Sequence, residues 1–232
     1  MNRLVRLFAT GTMCLMCATP IVADAAARDV RKRQYPVPEG LTPIAVRSFH
    51  HAFVRKEANL AAYRRVLIST GEFAFDPKWR PERVRRPLRA DTRQRIREKF
   101  LAAVHEDFAK AFDNQGGYTV ADAPAADVLR IVVHINDVYL NAPDEFDATV
   151  QRNYATSIGS MGLKIQVFDP SGSILLAEAH AYRTDPEEHF GLFWQRDSLE
   201  RLRVTELDNI EFARRAARDF AEALRVRILA AH

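Results

Sequence analysis

A run of large apolar residues spaced four apart constrains this chain more than any other feature. Ile96, Phe100, Val104, Phe108 and Phe112 recur with that spacing between Asp91 and the pair Gly116-Gly117. The spacing puts all five side chains on one face of a single helix, and a face that apolar has to be buried against another element. Asp91, with Gln94 three residues on, predicts a capping box at the start, and the two glycines predict the stop.

The covering element is a β region with period two. Ahead of the helix, residues 63–68 predict a strand that continues through Phe73 and Phe75. After it come a short strand at 118–121 and a long one at 127–139. In the long strand Leu129, Ile131, Val133 and Ile135 line one face, and Arg130, His134 and Asn136 the other, together with Val128, Val132 and Val138. Met161, Leu163, Ile165 and Val167 alternate with Lys164 and Gln166. Asp169-Pro170-Ser171-Gly172 then makes a hairpin turn. The returning strand, 174–183, sets Leu175, Ala177, Ala179 and Ala181 against Leu176, Glu178, His180 and Tyr182. Small residues on one side suit a closely packed helix. After a loop at 184–196 and a short helix from Asp197, a last helix is capped by Thr205 with Asp208 at N3. Its stripe is Ile210, Ala213, Ala217, Phe220, Leu224 and Ile228. The order β-α-β-β-β-β-α predicts an α+β fold: a mostly antiparallel sheet with two helices packed on one face, in one domain over 46–232.

The N-terminus predicts export. Arg3 and Arg6 precede an almost uncharged apolar run over 7–23, and Ala23-Asp24-Ala25 offers small residues where a signal peptidase reads. The run is shorter than the roughly 20 residues a spanning helix needs. We therefore expect a signal peptide over 1–25, cleavage after Ala25, a periplasmic address and no transmembrane helix in the mature form. The only cysteines, Cys14 and Cys17, lie in this segment without a lipobox context, so neither lipidation nor a disulfide is expected. Residues 26–45, with Pro36, Pro38 and Pro43, predict a flexible leader.

Residues 118–122 and 127–138, with the strand at 60–68 and the hairpin built on 165–169, Ser171-Gly172 and 175–177, resemble domain-of-unknown-function family 3313 over about residues 47–230. That resemblance implies a Gram-negative envelope protein, many members being assigned as lipoproteins, and brings no catalytic residue with it. The chain departs from the family in lacking a lipobox and in having Ser69-Thr70-Gly71 where Asp-Pro is expected.

Catalytic motifs are absent. There is no GxSxG elbow, no HExxH and no glycine loop followed by GK[ST], and Ser171 sits where a turn wants a serine. Neither cofactor nor metal is expected. His50 and His51 diverge on most backbones, whereas His134 and His180, with Glu178, would meet only if their strands were neighbours on a solvated sheet. The expectation is a non-enzymatic accessory or binding domain. An envelope hydrolase or carbohydrate-active enzyme with an unrecognised site is the alternative.

Two binding surfaces follow from the residues. One is the open sheet face carrying Arg130, His134, Lys164, Glu178 and His180. The other is a basic segment, 78–99, with ten basic and three acidic residues and hence a net charge of +7, in contrast to +4 for the whole 232-residue chain. Arg80, Arg83, Arg85, Arg86 and Arg89 are its centre. Export argues against nucleic acid there and for an envelope protein or an anionic membrane surface as partner.

Overall fold

Period-two alternation builds a seven-stranded sheet, and the two stripes at helical spacing cover one side of it. The computed structural model describes residues 34–79, 90–113, 117–140, 154–155, 158–184, 202–203 and 206–230. In chain order these hold β1 (Thr42–Ile44), β2 (His51–Val54), β3 (Arg65–Phe75), α1 (Ala90–Asp113), β4 (Thr119–Val120) and β5 (Val128–Leu140). Then come β6 (Tyr154–Ala155), β7 (Gly159–Phe168), β8 (Leu175–Thr184), β9 (Leu202–Arg203) and α2 (Glu206–Leu224), whose end widens into a π turn at Arg225–Leu229. The sheet order is β1-β2-β8-β7-β5-β3-β4, with β6 and β9 as a separate ribbon. Pairings are antiparallel except that β3 runs parallel to β4 and to β5. The expected α+β fold is what the chain forms.

The core lies between the sheet and the helices. Phe100, Val104, Phe108 and Phe112 of α1 share it with Leu129, Ile131, Val133 and Ile135 of β5 and Met161, Leu163, Ile165 and Val167 of β7. Ala177, Ala179 and Ala181 of β8 join them with Phe212, Ala213, Ala216, Ala217 and Phe220 of α2, small against small, as the sequence predicts. Ile96 is only half-buried, at the rim. The helices are also tied by charge. Asp107, 2% exposed, accepts hydrogen bonds from Arg214 (3.0 Å) and Arg218 (3.2 Å). Beside it, hydrogen bonds from Lys110 and Arg214 hold the Glu106 carboxyl down to about 2. Among the described residues, no helix is long and apolar enough to cross a membrane.

Three expectations need correction. Three residues of the predicted flexible leader form β1, with Pro43 inside it. A strand tolerates proline at a sheet edge, where one side needs no N–H donor, and β1 is the edge strand beyond β2. Asp91 is not the cap: the helix already includes Ala90, and the Asp91 carboxylate accepts the Thr92 N–H from inside the first turn (2.8 Å). Gln94 bonds Glu98 instead of reaching back. Val138 belongs to the core rather than the polar face. Asp137, at φ 50°, forms a bulge between the pairs Asn136–Gly162 and Tyr139–Ser160, and one extra residue reverses the alternation. The short helix predicted from Asp197 begins outside the described residues, as does Thr205, and Leu202–Arg203 beyond it is a strand.

The hairpin turn forms as its residues dictate. Asp169 accepts the N–H groups of Ser173 and Ile174 (2.9 Å each) and the Ser171 hydroxyl (2.6 Å), and Gly172 takes φ +78°.

Candidate functional site: the polar face of the sheet

The face opposite the helices is set by register. His51 pairs with His180, His180 with Lys164 and Lys164 with His134, so one row crosses β2, β8, β7 and β5. The next row sets Phe53, Glu178, Gln166 and Val132 side by side. Lys164, Glu178 and His180 thus lie together with His134, as the sequence reading grouped them. Arg130 shares their face farther along β5, over the hairpin. A Cβ added to Gly172 would lie 2.6 Å from its guanidinium.

The side chains make a continuous chain of hydrogen bonds. The Glu72 backbone N–H donates to His134 Nδ1 (3.0 Å), so His134 carries its proton on Nε2. That N–H donates to Gln166 Oε1 (3.1 Å), and the Gln166 amide donates to Glu178 Oε2 (2.7 Å). Glu178 Oε1 accepts from His180 Nε2 (2.8 Å). Each link fixes the orientation of the next. The His134 ring is pressed onto the backbone at Gly71, where an added Cβ would lie 2.6 Å from it, so glycine is what lets it lie flat.

Sequence reasoning treats this face as solvated, and it is not so at its β8 end. Glu178 is 7% and His180 6% exposed. The Tyr35 ring lies on His180 with centroids 3.9 Å apart and on His51 at 5.1 Å, and Phe53 meets His180 edge-on at 6.4 Å. Burial pushes the Glu178 carboxyl up, but hydrogen bonds from His180 and Gln166 outweigh it, the Lys164 charge adds to them, and the group sits below the usual carboxylate range. Glu178 is a buried carboxylate, each of whose oxygens accepts a hydrogen bond from a fixed side chain.

His134 and His180 do not converge. β7 lies between their strands, so the two rings stand two strand spacings apart, roughly 10 Å, with Lys164 between them. Among the described residues, no group of three or more His, Cys, Asp or Glu could hold a metal ion. The Glu178–His180 pair has the form of a base held by a carboxylate, but among the described residues His180 Nδ1 is buried without a hydrogen-bond partner.

Arg80, Arg83, Arg85, Arg86 and Arg89, the centre of the basic segment, lie outside the described residues. Its flanking arginines on α1 are placed: Arg93 lies 6.0 Å over the Trp79 ring, Arg95 donates to the Thr92 hydroxyl (3.3 Å), and Arg97 is exposed. Trp79 itself is core, stacked on Phe75 at 4.5 Å with its indole N–H on the Leu140 carbonyl (2.8 Å). Trp194 lies outside the described residues.

Sequence reasoning missed Gln166, Tyr35, His51 and Phe53 as parts of this face. Gln166 was within reach, since it alternates with the core of β7. Tyr35 sends no local signal, because its contact is with strands far along the chain.

No family model and no curated protein matches the chain. Among solved structures, two PelC dodecamers from Paraburkholderia phytofirmans are similar to it. One has 11% identity over 79% of this chain and 97% of that one, with a TM-score of 0.34. The other has 12% identity over 80% and 96%, also at 0.34. A homologue of neuraminyllactose-binding hemagglutinin from Helicobacter pylori has 12% identity over 84% of this chain and 90% of that one, with a TM-score of 0.31. A likeness this distant supports no inference about ligand, assembly or role.

Proposed function

We propose that the chain is an exported envelope protein that binds a protein partner through the polar face of its sheet and performs no chemistry of its own. The observation that carries this reading is the hydrogen-bonded chain Glu72–His134–Gln166–Glu178–His180. Its donors and acceptors bond to one another, which orients the face rigidly and supports recognition rather than proton transfer to a substrate. The Glu178–His180 pair could serve as a base only with a nucleophile at His180 Nδ1, and among the described residues that buried atom bonds to none. Lys164 and Arg130 stand on the same face as cationic contacts for a partner.

Ala23-Asp24-Ala25 and the apolar run before it support the address. In this reading the mature chain begins at Ala26, sits in the periplasm without a lipid, and belongs with the envelope proteins of family 3313. Crosslinking in intact cells followed by mass spectrometry tests the binding role. A defined captured protein is expected with the parent chain, and its loss when Lys164→Glu and Arg130→Glu are combined. Capture that is unchanged by the double substitution would remove the polar face from the account.

A further inference from the structure

The segment that covers His180 is held almost entirely by one ring. Gln34, Pro36 and Val37 are exposed, whereas Tyr35 is half-buried against His180 and His51. Among the described residues, no backbone hydrogen bond ties 34–37 to the sheet; the first one here is Leu41 N–H to the Pro38 carbonyl, 3.1 Å. The chain becomes fixed only beyond this point, where the Arg55 guanidinium packs on Gly40 and bonds the Leu175 carbonyl (3.1 Å), and Leu41 is 7% exposed.

The cover is also a poor fit for polar groups. Among the described residues it leaves His180 Nδ1 and His51 Nε2 buried without partners, and a buried polar atom left unpaired is destabilising. An occupant that keeps the ring contact and brings a hydrogen-bond donor to His180 Nδ1 would be held better than Tyr35 is. Glu178 fixes what that donor meets: its carboxylate accepts from His180 Nε2, so in the neutral tautomer of the ring the acceptor nitrogen is Nδ1.

We propose that His51, Phe53 and His180 form a binding site for an aromatic side chain on an extended, proline-flanked peptide of a partner protein, which Tyr35 fills in cis in the free chain. The chemistry of the occupant is read from the one the site already holds, Tyr35-Pro36-Val37-Pro38. Proline fixes such a segment in an extended form that loses little entropy on docking. The proposal rests on the binding face described above and names its partner class.

A plug in cis lowers the apparent affinity by the fraction of time the site stands open. The probe is the hexapeptide Gln-Tyr-Pro-Val-Pro-Glu, identical to residues 34–39, titrated into the full chain while the His180 imidazole resonances are followed by NMR. The Tyr35→Ala chain should bind it at least about ten-fold more tightly than the parent. Tyr35→Phe should behave as the parent, because the ring and not the hydroxyl makes the contact. A peptide with alanine for its tyrosine should leave His180 unmoved. Equal binding to parent and Tyr35→Ala, or no binding by a Tyr35→Ala chain that melts like the parent, would overturn the proposal. Crosslinking from the polar face that persists in that case would show that the face still binds and only the plug is wrong.

Discussion

Strand β7 shows two sides of one molecule. Met161, Leu163, Ile165 and Val167 face the helices and are at most 1% exposed, and dispersion and area alone hold them there. Lys164 and Gln166 face the other way, where Gln166 is fixed by two named hydrogen bonds. The apolar side tolerates any neighbour of the right volume, whereas the polar side works only if each partner stands at one place. The helix-covered face is therefore built for stability and the polar face for a specific shape. Substitutions on the two should part in magnitude and in pH dependence.

The largest effect is expected in the helix-covered layer. Phe108 is 0% exposed, and truncating a fully buried phenylalanine costs about 3–5 kcal/mol. Phe108→Ala should lower the melting temperature sharply; a variant melting like the parent would break the assignment of α1 to the core. Next comes the ion network between the helices. Removing one member of a buried pair can cost about 3–5 kcal/mol when the other is stranded. Arg214 and Arg218 are 28% and 45% exposed at their side chains and can turn to water. The loss for Asp107→Ala is thus nearer the 1.5–3 kcal/mol of hydrogen bonds to a charged group. Chemical denaturation would measure it.

The polar face should give a smaller loss with a pH signature. Glu178→Gln keeps the shape and removes the charge, at about 1–2 kcal/mol near neutral pH. Because the folded chain holds this carboxyl below its ordinary 4.5, the charge stabilises above that value. The contribution is lost as pH falls through the lowered folded value. Parent and Glu178→Gln should accordingly converge in stability as the solution is acidified below about pH 4.5, and a gap that stays constant would show that the carboxylate is not the source. The smallest effect is expected at Arg97, exposed on α1, where Arg97→Gln should stay within about 0.5 kcal/mol.

The same contrast explains how much the sequence revealed. Phe100, Phe108 and Ala177 were legible because burial has a period, and the period needs no knowledge of which strands pair. Val138 was misplaced because one residue, Asp137, breaks that period without announcing it in composition. His134 and His180 could be assigned to a face but not a distance. Whether they meet depends on β7 lying between them, which is a property of strand order. Tyr35 was invisible for a stronger reason: its neighbours are His51 in β2 and His180 in β8, and nothing in a proline-rich stretch says which strand it will cover.

The proposed function puts the partner at the polar face and not at the outer surface of the helices. A photo-crosslinking side chain placed at Lys164, and in a second chain at Arg97, distinguishes the two in cells. A discrete crosslinked species is expected from position 164 and none from 97. A species from 97 with none from 164, or the same species from both, would contradict it.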